Sequence, residues 1–157
     1  MMEIKAVGHI GICVSDLEKS LRFWCDGLGF DVLREWRFRG SAWSRILELD
    51  GDIDLHSRLI RRDHVTLELM WYGKLGHLGS GQKRPMNALG LTHLAIWVDD
   101  VDAVASRILE HGGEVLENTR TSFNYPHMQG SWLVCTDPDG IRVELVHYPA
   151  GEDVLEF

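Results

Sequence analysis

Residues 8–17 read GHIGICVSDL, and residues 92–101 read THLAIWVDDV. In each stretch a histidine opens a run with apolar residues at alternate positions, and an aspartate follows the histidine after seven positions. His9 thus corresponds to His93 at an offset of 84 residues. Self-similarity at one fixed offset indicates two copies of a single structural module, and this repeat decides the fold.

The first copy has the pattern of a β-α-β-β-β module with one additional strand. Apolar residues at every second position predict a strand over Val7–Val14. A helix follows, with Ser15 or Asp16 as its N-cap and glycines at its end. Further strands are predicted over residues 31–38, 43–49, 53–60 and 65–72.

The second copy repeats this order. It predicts a strand over Leu91–Val98, a helix over Val101–His111, and strands over residues 114–119, 131–136 and 141–148. Glycine-rich residues connect the two copies. We therefore expect an α+β protein with one domain, residues 1–157, made of modules 5–72 and 91–148 and the connector 73–90.

The composition excludes several classes of function. A chain of 157 residues, of which 45% are apolar, can fill one core. A net charge of -8 argues against binding to nucleic acid, and no apolar run reaches the roughly 20 residues that cross a membrane. The beginning of the sequence lacks the pattern of a signal peptide, and three scattered cysteines do not indicate a disulfide framework. We therefore expect a cytoplasmic protein.

Strand alternation directs four potential metal ligands away from the helices. The apolar residues beside His9 and His93 face the helices, so both imidazoles point to the opposite side of their strands. Glu68 and Glu144, each between two apolar neighbours, are predicted to point the same way. Two imidazoles and two carboxylates in one cavity would bind a divalent ion. Their N and O donors suit Zn²⁺, Ni²⁺, Co²⁺, Mn²⁺ or Fe²⁺ better than Ca²⁺.

Three segments of the repeat resemble a known superfamily. They are HIGICVSDL at residues 9–17, LEL at 67–69 and DPDGIRVEL at 137–145. Together they resemble the vicinal oxygen chelate superfamily, which includes glyoxalase I, methylmalonyl-CoA epimerase, bleomycin-resistance proteins and extradiol dioxygenases. The resemblance covers residues 5–148 and implies two tandem βαβββ modules that form an open barrel-like mixed sheet around a metal site.

The ligand set narrows what the resemblance implies. His9, Glu68, His93 and Glu144 fall on all four ligand positions of glyoxalase I and the epimerases. This implies a metal-dependent lyase or isomerase that acts through a metal-stabilised enolate on an oxygen-chelating small molecule, with Glu144 or Glu68 as the catalytic base. Two alternatives stay open: an Fe- or Mn-dependent extradiol-type dioxygenase, and a metal-free protein that sequesters an aromatic antibiotic.

A further set of residues is predicted to line the substrate cavity, because its members share a strand face with the ligands or lie at nearby aromatic and loop positions. The set is Met70, Tyr72, Trp97, Trp43, Trp132 and His127. These side chains indicate a small-molecule substrate with aromatic character. Arginines clustered in residues 34–45 and 58–62 suit an anionic group. Members of the superfamily often form homodimers, so the resemblance also implies a homodimer.

Overall fold

The first strand of each copy lies beside the last strand of the same copy. The computed structural model describes residues 3–126 and 128–149, with only the backbone for Met128. The chain forms two compact units, one ending at Gly79 and the other beginning at Ser80. Each unit holds one copy of the repeat and one sheet of parallel and antiparallel strands.

In the first unit, the sheet has the order β1-β4-β3-β2. The pair β1–β4 is parallel, and the pairs β2–β3 and β3–β4 are antiparallel. The elements are β1 (Ile10–Cys13), α1 (Leu17–Leu21) with a π-helical continuation (Arg22–Gly27), β2 (Asp31–Arg39), α2 (Ser41–Ile46), β3 (Asp54–Arg62) and β4 (Val65–Tyr72).

The second unit has the equivalent order β5-β9-β8-β6, and a further strand, β7, pairs with β8. Its parallel pair is β5–β9. The elements are β5 (His93–Trp97), α3 (Val101–Glu110), β6 (Glu114–Val115), a 3₁₀ turn (Glu117–Thr119), β7 (Thr121–Tyr125), β8 (Met128–Thr136) and β9 (Arg142–His147). The predicted α+β class and the two tandem βαβββ modules are therefore confirmed.

Helices α1 and α3 each begin at an aspartate that the repeat places at the same point. The Asp16 side chain accepts a hydrogen bond from the backbone N–H of Lys19, and the Asp100 side chain accepts two, from residues 102 and 103. These bonds satisfy N–H groups that have no partner within the helix. The two helices therefore start shortly after β1, which His9 immediately precedes, and β5, which begins at His93.

The core of the first unit lies on the helix side of its sheet. Leu67 and Leu69 on β4 are almost fully buried. The helical segment contributes Trp24, which is also fully buried and makes edge-to-face ring contacts with Phe23 and Phe30 at centroid distances of 5.2 and 5.5 Å. Since side chains alternate along a strand, Glu68 must point away from this core.

Two predicted strands are wrong. Residues 43–49 contain most of helix α2 and no strand, because the buried Ser44 hydroxyl donates to the backbone oxygens of Gly40 and Gly51 and closes a helical turn. Residues 114–119 form only the short β6 followed by the 3₁₀ turn. The additional strand therefore belongs to the second copy, as β7, and the addition in the first copy is a helix.

The division of the chain falls inside the predicted connector, residues 73–90. That the two units form one domain stays a prediction. Among the described residues, no helix is long and apolar enough to span a membrane.

Candidate metal centre

In the first unit, His9 and Glu68 lie side by side. The parallel register of β1 and β4 sets Gly11 opposite Glu68, and His9, two residues before Gly11, falls on the same face. The Nε2 atom of His9 is 2.9 Å from Oε2 of Glu68. The carboxylate is the more buried partner, with 13% of its side chain exposed against 44% for the imidazole. A carboxylate at this depth needs a partner, because burying an unpaired charge is costly.

The other oxygen of Glu68 is bound by the adjacent strand. Ser57 on β3 is fully buried, and its hydroxyl donates a hydrogen bond of 2.5 Å to Oε1 of Glu68. The two oxygens of this carboxylate therefore face different partners: Oε1 faces a hydroxyl and Oε2 faces the imidazole of His9.

The second unit repeats the pair in a looser form. The parallel register of β5 and β9 sets Ala95 opposite Glu144, and His93 lies two residues before Ala95. Here Nε2 of His93 is 3.5 Å from Oε2 of Glu144, and the side chains are 33% and 26% exposed. The repeat in sequence is thus also a repeat of one His–Glu pair on the face of each sheet.

The donor atoms of each pair fit half of the predicted metal site. One imidazole nitrogen and one carboxylate per unit are donors that first-row divalent ions accept. Within residues 3–126 and 128–149, no group of three or more His, Cys, Asp or Glu side chains is placed to hold an ion. Neither unit alone supplies a full ligand set from these residues, and the assignment of all four residues to one ion stays a prediction.

The predicted contacts Met70 and Tyr72 lie on the Glu68 face. They follow Glu68 along β4 at alternate positions, and the Tyr72 hydroxyl is 3.9 Å from Sδ of Met70. Burial raises the pKa of Tyr72, and the charges of Cys13 and Glu68 raise it further. The phenol therefore stays protonated at neutral pH and can donate a hydrogen bond on this face.

An aromatic row, defined as Trp36, Phe38 and the predicted contact Trp43, lies along the outer part of the same sheet. Trp36 pairs with Ser57 across β2 and β3 and so shares its face. The ring centroids of Trp36 and Phe38 are 6.0 Å apart, and those of Phe38 and Trp43 are 4.2 Å apart. Trp36 and Trp43 are 39% and 38% exposed, so part of each side chain is accessible from outside the unit.

Trp36 and Phe38 are not among the contacts predicted from the sequence. Their alternation along β2 places them on one face, but only the register with Ser57 identifies that face as the one that carries Glu68.

The second unit also has aromatic side chains on the face of its pair. The predicted contacts Trp97 and Trp132 both pair with Val146, so they share a face. Trp132 contacts Phe123 and Tyr148 edge-to-face at centroid distances of 5.1 and 5.5 Å. The predicted contact His127 lies outside the described residues.

Several arginines expected to meet an anionic substrate are engaged within the first unit. Arg37 and Arg39 both bind the Asp54 carboxylate, at 2.6 and 3.0 Å, and Arg58 binds Glu35 at 2.9 Å. The hydrogen bond from Arg37 is the main reason that the pKa of Asp54 lies well below its usual range. These contacts stabilise strand edges and give no support to an anion site at these residues.

The chain belongs to the Glyoxalase/Bleomycin resistance protein/Dioxygenase superfamily, whose family model matches residues 6–145. It is 32% identical to the uncharacterized protein YaeR of Escherichia coli (strain K12), over 92% of this chain and 98% of that protein. It is 31% identical to a 2-epi-5-epi-valiolone epimerase of Actinomyces sp., over 93% of this chain and 81% of the epimerase. It is 28% identical to a lactoylglutathione lyase of Neisseria meningitidis, over 95% of both chains.

The fold of this chain is also similar to that of a solved protein. A glyoxalase family protein from Bacillus cereus, of known crystal structure, superposes with a TM-score of 0.77 at 20% identity, over 93% of this chain and 95% of the other. The relatives named above include a lyase and an epimerase.

Proposed function

We propose that the protein is a metal-dependent lyase or isomerase of the glyoxalase I and epimerase type. The observation that carries the proposal is the repeated pair: a histidine and a glutamate lie together in both units, with Nε2–Oε2 distances of 2.9 and 3.5 Å. A dioxygenase needs three of these four residues and a binding protein needs none. The second glutamate therefore favours lyase or isomerase chemistry, as do the relatives named for it.

His9, Glu68, His93 and Glu144 would hold the ion. When bound, a divalent metal would supply positive charge that polarises a carbonyl and stabilises negative charge developing on its oxygen. The protein's own task is proton transfer: Glu144 or Glu68 takes a proton from the carbon beside the carbonyl. Where the carbon that loses this proton also carries a hydroxyl group, return of the proton to the former carbonyl carbon, with transfer of the hydroxyl proton to the other oxygen, gives an isomerised product. Delivery of a proton to the opposite face of the same carbon gives an epimer.

The apolar and aromatic side chains on the His–Glu face of each sheet suit a substrate with an apolar or aromatic part. Met70, Tyr72 and the aromatic row supply such surface beside Glu68. Trp97 and Trp132 supply it in the second unit. We also propose that His127 contacts the substrate and that the protein works as a homodimer in the cytoplasm.

Proton transfer at carbon tests this function directly. Wild-type protein loaded separately with Ni²⁺, Co²⁺, Zn²⁺, Mn²⁺ or Fe²⁺ is incubated in D₂O with the adduct of glutathione and a 2-oxoaldehyde, or with cyclic 2-hydroxyketones. We expect metal-dependent turnover or deuterium uptake beside the carbonyl. Loss of turnover with metal still bound, in Glu144→Gln or in Glu68→Gln, would identify the base.

Two results would contradict the proposal. Oxygen consumption with catechols, unaffected by Glu68→Gln, would establish the dioxygenase. Binding of aromatic compounds without metal, at equal affinity in His9→Ala, would establish a sequestering protein.

A further inference from the structure

The Glu68 carboxylate is held by a residue that the metal-ligand pattern does not contain. The Ser57 hydroxyl is fully buried and donates to Oε1 of Glu68 at 2.5 Å, while Oε2 of Glu68 faces Nε2 of His9 at 2.9 Å. A free glutamate side chain can rotate about several bonds and can present either oxygen or both to a cation. With Oε1 bound to a hydroxyl on β3, which is paired with strands on both sides, only Oε2 remains directed at the imidazole.

The second unit has no hydroxyl at the corresponding place. In the first unit, the residue two positions after Glu68 pairs with Ser57. In the second unit, the residue two positions after Glu144 pairs with Trp132, whose indole ring contacts other aromatic rings. The His–Glu distance is also longer there, 3.5 Å against 2.9 Å, and the glutamate side chain is more exposed, 26% against 13%. The hydroxyl thus accompanies the tighter and more buried of the two pairs.

We propose that Ser57 is a positioning residue for the metal centre: its hydroxyl fixes Glu68 so that a single carboxylate oxygen, Oε2, is presented beside His9. The inference rests on the proposed function, since the ion is what His9 and Glu68 would share. A hydrogen bond to a ligating carboxylate orders the ligand before the ion arrives, so the ion does not bear the cost of ordering it. Ser57 itself would touch neither the ion nor the substrate.

A purely structural role for Ser57 gives different expectations. A buried hydroxyl that only satisfies the fold would affect the stability of the protein, through the loss of one hydrogen bond, and would leave the affinity for metal unchanged. A positioning role changes the affinity for metal in a protein that remains folded. Ser20 supplies a matched control, because it is equally buried and its hydroxyl donates to the backbone oxygen of Asp16, the N-cap of α1, on the helix side of the sheet.

The test measures Co²⁺ binding to the full-length protein by calorimetry, together with the visible spectrum of bound Co²⁺, which reports the ligand geometry. Four proteins are compared: wild type, Ser57→Ala, Ser57→Thr and Ser20→Ala. Thermal unfolding of each metal-free protein shows whether it is folded. We expect Ser57→Ala to bind Co²⁺ about 10-fold to 100-fold more weakly with an altered spectrum, as other changes in residues that support metal ligands do. We expect Ser20→Ala to bind as the wild type does and Ser57→Thr, which keeps the hydroxyl, to recover most of the affinity.

The outcomes separate this inference from the function on which it rests. If the wild type binds no Co²⁺, the proposed metal centre itself fails. If the wild type binds and Ser57→Ala binds equally well with the same spectrum, the metal centre stands and the positioning role is wrong. The role is also overturned if Ser57→Thr is folded and binds as weakly as Ser57→Ala, because the hydroxyl would then not be what matters.

Discussion

The two His–Glu pairs occupy the same place in the repeat but differ in what surrounds them. In the first unit the carboxylate of Glu68 lies between an imidazole and the Ser57 hydroxyl. In the second unit the pair of His93 and Glu144 is longer and more exposed, and a tryptophan takes the place of the serine. Duplication thus preserved the donor atoms while their supports diverged. The comparison indicates a fixed carboxylate in one unit and a less constrained carboxylate in the other.

The largest expected effect is a loss of metal binding, and it should be of similar size for the histidines of the two units. His9→Ala and His93→Ala should each weaken metal binding by about 100-fold or more, a larger loss than that from a residue that only supports a ligand. Calorimetric titration with Co²⁺ measures both variants. His56→Ala is the control, because it removes an imidazole from the opposite face of the first sheet, where His56 packs on Trp71. Full affinity in His93→Ala would mean that the two units are not equivalent partners in one site.

The next effect should distinguish the two glutamates. Because Glu144 lacks the support that Ser57 gives Glu68, we expect Glu144→Gln to keep bound metal and to lower turnover by about 100-fold or more, the usual contribution of a general base. We expect Glu68→Gln to weaken metal binding first. Metal content and single-turnover rates of both variants measure the difference. If Glu68→Gln kept its metal and lost turnover while Glu144→Gln lost metal first, the base would be Glu68. The difference between the two pairs would then not explain which glutamate transfers the proton.

A smaller effect concerns the aromatic row. Trp36→Leu should raise KM about 2-fold to 10-fold for a substrate with an aromatic group, because one aromatic contact contributes about 0.5–1.5 kcal/mol. Trp71→Leu is the matched control, since Trp71 lies on the opposite face of the same sheet and packs on His56. Steady-state kinetics with aromatic and aliphatic substrates compare the two. Equal changes in both variants would place the substrate away from the row.

The last effect is on stability and not on the site, and it compares the starts of helices α1 and α3. Asp100 accepts two backbone hydrogen bonds and Asp16 accepts one. We expect Asp100→Ala to lower the free energy of unfolding by about 1–2 kcal/mol and Asp16→Ala by about 0.5–1 kcal/mol, within the range for N-caps. Urea unfolding followed by circular dichroism measures both. A larger loss at Asp16 would show that the hydrogen-bond count does not set the difference.

The repeat made most of the fold predictable from sequence. Alternation on the predicted strand Val7–Val14, of which the structure has only Ile10–Cys13 as a strand, placed His9 away from the helix, and the equivalent pattern placed His93. Both histidines lie beside a glutamate of their own unit. Such predictions succeed because side chains alternate between the two faces of a strand, so counting positions from a known residue gives the face. The convergence of all four ligands on one ion stays a prediction.

The features that sequence alone missed depend on contacts between distant segments. Residues 43–49 alternate like a strand but form a helix, because Ser44 bonds two loop carbonyls and Trp43 packs on Phe38. Ser57 carries no motif, and only the pairing of β3 with β4 brings its hydroxyl to Glu68. Local pattern gives the face of a residue but not the register of its neighbours.

The most direct test of the metal centre is its metal content. Purified wild-type protein and the His9→Ala/Glu144→Ala variant are analysed for bound metals after reconstitution with divalent ions and removal of the excess. The account predicts about one ion per chain in the wild type, as expected for a site of this ligand type, and almost none in the variant. Absence of metal in the reconstituted wild type, or equal metal in the variant, would contradict the account.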